Sequence, residues 1–489
     1  MGHLLPVLNV LGFVVALFSV TMLVPWGVAL VGQDAALPIY NESVLFTLAC
    51  GAALWAATRK QKRELQPRDG FLLVSLVWST LPAFAAVPLY LYFRSTAAPI
   101  GFVDAYFEAM SGLTTTGSTV LTGLENLPHS INIWRCWLVW LGGMGIIVMA
   151  VAILPLLGVG GMQIFKAETP GPMKDAKLTP RITETAKGLY AVYVTVSLAC
   201  MLSYRAAGMS WFDAFCHMCA TMGLGGFSTY DASFGQFNSP AIEAVAVVFM
   251  TLAGFNFAMH FLAWRQKSLK PYVFCPEARW YLLALYTGVV VIAVFLFVRG
   301  VYPTFLESLR HAAFNVVSIA TTTGFTSVDY AQWPVFAPVL MLFMCCFVTC
   351  AGSTGGGIKM LRAVILFKQS TREITRILHP RIVNPVKLSG DVVENKVVLA
   401  VLAFMLLYGG IIIIMTLILL ATGLDPVTAF TAAIASVNNT GPGLGEVGPS
   451  TNYQSLSDFQ TVVCTICMLL GRLELFSVLV IFTRTFWRK

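Results

Sequence analysis

Charge is scarce in this sequence: Asp, Glu, Lys and Arg make up 11% of its 489 residues, against 57% for hydrophobic residues. That ratio excludes a soluble globular domain of this size. Catalytic constellations are missing as well. No H-E-x-x-H run and no paired His/Asp motif occurs, so a membrane enzyme, which needs an acid/base or metal cluster near one depth, has no candidate centre. The eleven cysteines sit mostly in apolar runs, as Cys345, Cys346 and Cys464 do. They read as small apolar core residues and not as a disulfide framework. The first apolar run lacks a basic leader and exceeds a signal-peptide core, so it is expected to be retained; M-G-H-L-L-P also lacks the Ser/Thr that myristoylation favours.

What the sequence does have is apolar runs long enough to span a bilayer; 397–423 carries no charged side chain at all. The expected fold is an all-α polytopic membrane protein. Two leading spans, 4–31 and 42–58, end in a basic loop with Arg59, Lys60, Lys62, Arg63 and Arg68. Beyond them an unusual stretch recurs four times: T-T-T-G-S at 114–118, L-G-G-F-S at 224–228, T-T-G-F-T at 322–326 and N-T-G-P-G at 439–443. Threonine stiffness beside glycine suits a bent, extended backbone better than a helix interior. Anchored on Gly117, Gly226, Gly324 and Gly441, every copy has an alanine twelve residues earlier: Ala105, Ala214, Ala312 and Ala429. The unit is therefore an internal repeat of roughly a hundred residues, longer than a solenoid period.

Each repeat reads as a span, a short apolar segment, the glycine stretch and a second span. The first uses 70–93, 104–113 and 133–157, and the second 183–207, 211–221 and 240–264. The third uses 279–300, 307–319 and an interrupted 335–370, and the fourth 392–421, 425–436 and 459–485. Segments of about ten residues are too short to cross and fit re-entrant half-helices. Non-helical backbone at that depth is tolerated where it lines a water-filled cavity. The domain division that follows is 1–69 for the leading pair and its loop, then 70–182, 183–278, 279–391 and 392–489 for four units around one pore. Pro82 and Pro155 are candidate kinks.

Loops 59–69, 158–187, 265–279 and 362–396 and the C-terminal tail hold 24 of the 31 Lys/Arg. Both termini are therefore expected on the cytoplasmic side. The opposite face carries acids such as Asp34, Asp104, Glu108, Glu125, Asp213, Asp231, Glu307, Asp329 and Asp425, an arrangement that would concentrate cations before the glycine stretches.

A span, a half-helix, a glycine-bearing filter and a second span, four times in one chain, resembles the superfamily of K+ transporters built from K+-channel-like subunits. The leading helix pair and the motifs T-T-T-G-S, G-L-G-G-F-S-T, A-T-T-T-G-F and N-N-T-G-P are similar to its TrkH/TrkG branch. The resemblance implies K+ uptake across a bacterial inner membrane by a homodimer with one pore per protomer. It also implies a cytoplasmic nucleotide-binding regulator of the TrkA type, and it brings in no cofactor and no nucleic acid. The expected filter comprises Thr115, Thr116 and Gly117; Leu224, Gly225 and Gly226; Thr322, Thr323 and Gly324; and Asn439, Thr440 and Gly441. A dehydrated K+ needs roughly eight oxygens, which converging backbone carbonyls can supply, and the half-helices would aim their negative C-terminal ends at the cavity below. One shared glycine per loop, against two in T-V-G-Y-G, suggests weaker K+/Na+ discrimination than in K+ channels. Relatives with serine in the first filter are associated with Na+, so glycine in all four favours K+.

Residues 352–357 pack Gly352, Gly355, Gly356 and Gly357 around Ser353 and Thr354. Four glycines cost about 1 kcal/mol each in a helix, so a flexible loop below the filter is expected, and in the family resemblance the corresponding loop is the gate. Lys359 and Arg472 fall within membrane segments, and Arg472 lies 31 residues after Gly441, about level with that loop. An arginine there, costing roughly 2.5–3.5 kcal/mol to insert, would oppose cations and hold the loop through its carbonyls; the competing account is a salt bridge to another helix. G-S-T-G-G-G-I-K at 352–359 mimics a phosphate loop but lacks the following Ser/Thr and a preceding strand, and G-L-G-E-V-G at 443–448 follows a filter. Cys216, His217 and Cys219 fit helix packing better than a metal site, while Asn256 and His260 fit either pore lining or interhelical hydrogen bonding. An alternating-access cation symporter is the alternative reading, but its repeats would alternate in topology, whereas these all start from the basic side.

Overall fold

The computed structural model describes residues 4–60, 66–148, 182–388 and 391–488. Among these the only strands are Lys387–Leu388 and Asp391–Val392, a two-residue antiparallel pairing; everything else of regular structure is helical. Six of the described helices are long and apolar enough to cross a membrane, or up to eight if each of two bent pairs counts as one span. Pro155 and most of the basic loop 158–187 lie outside the described residues.

The leading spans form a hairpin, Leu4–Gly32 against Leu37–Thr58. Without a hydrophobic drive between helices in lipid, close backbone approach is what holds such pairs. Gly12 and Gly51 supply it: a Cβ on Gly12 would lie 2.6 Å from the Trp55 nitrogen, and one on Gly51 would meet Ala16. The first span is interrupted at Met22, because Pro25 has no N–H for the Thr21 carbonyl. Asp34, in the hairpin turn, accepts the Ser130 N–H at 3.2 Å and ties the pair to the rest of the molecule.

The four short helices run Phe102–Leu113, Trp211–Gly223, Phe305–Ala320 and Pro426–Asn438. Each starts with an acid in the place that caps a helix or favours its positive end. Asp104 accepts the Gly101 N–H, Asp213 and Glu307 follow Ser210 and Thr304 caps, and Asp425 accepts the Val427 and Thr428 N–H groups. The Thr428 hydroxyl and amide and the Val427 amide hold the Asp425 carboxyl below its ordinary range. Much of the expected outer acidic face therefore serves as caps. The recurring alanines are completely buried in all four units, where a larger side chain would separate the short helix from its neighbours.

The helices that follow the glycine stretches correct the sequence reading. A break was expected only in the third unit, yet two further ones bend sharply. Pro240–Ala253 turns by 92° into Phe257–Gln266, and Asp458–Arg472 turns by 105° into Phe476–Phe482. In the third, Phe336–Met344 and Met360–Leu378 flank a non-helical segment that is wider than the expected 352–357. The first elbow is held by partners: Asn256 caps the new helix by accepting the Ala258 N–H at 2.9 Å. Its freed backbone pairs with the third unit's break, Cys350 N–H to Gly254 O and Phe257 N–H to Gly352 O, both 3.1 Å. At the other elbow Glu474 adopts φ 51° and its carboxylate binds Arg362 at 2.8 Å.

Candidate functional site

The short helices end alike. The residue two positions before each recurring glycine is left-handed: Thr115 at φ 55°, Leu224 at 54°, Thr322 at 62° and Asn439 at 54°. Each closes a Schellman pair. Thr116 N–H reaches Ser111 O while Thr115 N–H reaches Gly112 O, and the same two bonds recur at Gly225/Leu224, Thr323/Thr322 and Thr440/Asn439. None of these left-handed residues is glycine, and three of the four are Thr or Leu, which sequence inspection for turn residues passes over. The motif stops the helix and turns the chain into the glycine stretch at one depth in all four units.

Beyond that turn the stretches touch in a cycle. A Cβ on Gly117 would come within 2.5 Å of the Gly226 nitrogen, and one on Gly226 within 2.6 Å of the Gly324 carbonyl carbon. One on Gly324 would strike the Thr440 carbonyl oxygen, and one on Gly441 would sit 3.0 Å from Thr116 O. Each loop thus presses on the next, and the fourth returns to the first. Gly117, Gly324 and Gly441 have φ of 81°, 89° and 98°. Gly226 departs from the expectation: its φ is not left-handed, and its N–H donates to Thr323 O at 2.5 Å. All four glycines line one cavity, with Asp231 as its only acid and Arg135 as its only base. Two of the carbonyls around it are already engaged, Thr323 O by Gly226 and Gly441 O by the hydroxyls of Ser118 at 3.0 Å and Tyr453 at 2.9 Å.

On the other side of the ring lies the non-helical segment between Met344 and Met360. It seats against the carboxyl ends of three short helices. Thr354 donates its hydroxyl to Met222 O at 2.9 Å, and Gly356 N–H donates to the Thr322 hydroxyl at 2.8 Å. A Cβ on Gly355 would crowd Thr321 O at 3.0 Å, and one on Gly356 would overlap Asn438 O. Glycine is needed here for close approach as much as for flexibility. The segment is also anchored from behind by Glu277, which accepts the Ala351 N–H at 2.7 Å, and braced within itself by Thr349 donating to Gly356 O at 2.8 Å.

Arg472 ends its helix inside this assembly, 3% exposed. Its guanidinium donates to Thr354 O at 2.9 Å and to Gly142 O at 3.2 Å and stands 5.9 Å over the Trp78 ring. Glu474 faces Arg362, so the ion pair considered for Arg472 is formed by other residues. Lys359 donates to Gly355 O. The expected gate residues are thus brought together, and Arg362, Glu474, Gly142 and Thr349 join them. An i, i+2 spacing separates Glu474 from Arg472, which already argued against their pairing.

The side candidates are engaged within the protein. His260 lies 2.5 Å from the Tyr272 hydroxyl and 2.9 Å from Leu252 O, and Asn256 is a helix cap. Cys216, His217 and Cys219 are wholly buried, and no group of three His, Cys, Asp or Glu suited to a metal ion occurs among the described residues.

A family description named TrkH, cation transport protein, matches residues 39–489. The chain is 45% identical over 487 residues to the Trk system potassium uptake protein TrkH of Escherichia coli K12, covering 100% of each chain. It is 46% identical over 484 residues to the protein of the same name from Halomonas elongata, covering 99% of each. Its fold superposes with a TM-score of 0.91 on the crystal structure of the potassium transporter TrkH from Vibrio parahaemolyticus, at 42% identity and 99% coverage of both chains.

Proposed function

Because the chain belongs to the TrkH family of cation transport proteins, whose named members are transporters and not enzymes, we propose that it takes up K+ through one pore surrounded by its four repeated units, 70–182, 183–278, 279–391 and 392–489. The observation that carries this reading is the closed cycle of Gly117, Gly226, Gly324 and Gly441, each against the next loop and all lining one cavity. Four converging backbones can replace a K+ hydration shell with carbonyl oxygens. The short-helix carboxyl ends, each carrying about half a negative charge, favour a cation immediately beyond the ring. The departure of Gly226 and the engaged Thr323 and Gly441 carbonyls support a filter with fewer full rings than a four-fold symmetric one, and hence weaker discrimination against Na+.

Conduction then requires the segment 345–359 to leave its seat under the ring. Thr354, Gly355 and Gly356 obstruct the path, Arg472 holds the Thr354 carbonyl, and its fixed charge opposes cations. A TrkA-type cytoplasmic regulatory subunit releasing this segment, a homodimeric assembly, and an inner-membrane placement with both termini cytoplasmic complete the proposal. The common order of elements in all four units supports a channel-like path over alternating access, whose repeats would be inverted. Radioactive Rb+ influx into proteoliposomes holding the purified protein, as wild type and with the seated residues 354–357 deleted, tests it: unlabelled K+ should compete strongly and Na+ weakly. No influx through the correctly assembled deletion variant, or equal competition by both ions, would refute it.

A further inference from the structure

Nine residues before the recurring glycines stand Glu108, His217, Asn315 and Ala432. Three of these four reach forward past the filter to the strand that leaves it. Glu108 accepts the Thr119 hydroxyl at 2.9 Å and the Val120 N–H at 3.0 Å. His217 lies 3.0 Å from the Ser228 hydroxyl through Nε2; its Nδ1 faces the Asp213 carbonyl, which can only accept, so Nε2 is the acceptor. Asn315 donates to the Ser327 hydroxyl at 3.0 Å and accepts the Ser327 N–H at 3.3 Å. In the fourth unit the role moves back one residue: Thr431 accepts the Leu444 N–H at 2.9 Å and lies 3.1 Å from Leu444 O.

We infer that Glu108, His217, Asn315 and Thr431 are four positioning struts, one per unit, that clamp the strand two or three residues beyond each filter glycine to its own short helix and so set the filter's width and ion selection. The inference rests on the K+ filter reading given above. The chemistry differs in every unit, yet each strut reaches the second or third residue beyond its own filter glycine. A buried side chain satisfied by one local backbone strand has no need to recur at equivalent places unless the strands must stay in register with each other. The first strut is also tied across the ring, because Arg135 binds Glu108 at 2.8 Å and donates to Ser228 O at 3.1 Å.

The experiment is Rb+ influx with Na+ competition in proteoliposomes of wild type, Thr431→Val, Asn315→Leu and Thr431→Ser. Glu108 is left intact because removing it strands the buried Arg135 charge. Loss of one strut hydrogen bond should lower selection of K+ over Na+ by about three- to tenfold while saturating Rb+ influx persists, and Thr431→Ser, which keeps the hydroxyl, should retain wild-type selection. Correctly assembled variants whose influx falls at unchanged Na+ competition would overturn the inference, leaving these residues as fold supports, and so would unchanged selection and influx. A wild type that itself fails to favour K+ refutes the filter reading, and the struts fall with it.

Discussion

Replacing Arg472 by alanine should open the pathway. In the structure its guanidinium makes two hydrogen bonds to carbonyls, Thr354 O of the non-helical segment at 2.9 Å and Gly142 O of the first unit at 3.2 Å. Hydrogen bonds from a charged donor contribute about 1.5–3 kcal/mol each. Only the Thr354 bond holds the moving segment, so its loss weakens the closed arrangement by about 1.5–3 kcal/mol, which at 1.4 kcal/mol per tenfold shifts the closed-to-open ratio by roughly ten- to a hundredfold. Removing the fixed charge adds to this by lowering the barrier to a cation at the same level. Rb+ influx through purified Arg472→Ala, without any regulatory subunit, should therefore rise about tenfold or more. Arg472→Lys should recover the restraint only in part, since an ammonium cannot present the planar fork to two carbonyls. Influx through correctly assembled Arg472→Ala that falls or stays level would refute the reasoning and leave Arg472 as a packing residue.

Gly117→Ser should lower K+ selection without abolishing influx, because its Cβ enters the space of Gly226 at 2.5 Å and φ 81° strains a side chain; Na+ competition against Rb+ uptake measures it, and unchanged selection counts against the ring. Deleting 354–357 should raise influx in the absence of any partner, as it removes the residues seated on Met222, Thr322 and Asn438; lower influx in intact protein would contradict a gating role. Gly51→Leu should weaken the leading hairpin, where a Cβ already meets Ala16, and reduce the thermal stability of the detergent-solubilised protein while Na+ competition stays as in wild type.

The short helices and glycine stretches were legible because their signal is compositional and repeated: a ten-residue apolar segment, a fully buried alanine and a glycine, at matching offsets in four places. The broken third helix was legible for the same reason, four glycines within six residues. The elbows were not. At 473–475 no glycine or proline marks the bend; the helix yields to tertiary demand, with Glu474 in a left-handed conformation facing Arg362 across 112 residues of chain. At 254–256 a single glycine gives little warning, and the partners that make the break affordable, Cys350 and Gly352, lie about a hundred residues away. The left-handed Thr115, Leu224 and Thr322 were hidden because threonine and leucine seldom adopt φ above zero; only Asn439 is of a type that takes the place glycine usually fills.

Locating the ion itself tests the central claim most directly. Crystals of the protein grown in Rb+ and measured at the Rb absorption edge should show anomalous density on the axis enclosed by Gly117, Gly226, Gly324 and Gly441, and Na+ soaking should weaken it less than K+ soaking does. Anomalous density confined to some other part of the molecule, with none inside that ring, would contradict the assignment of these four stretches as the filter.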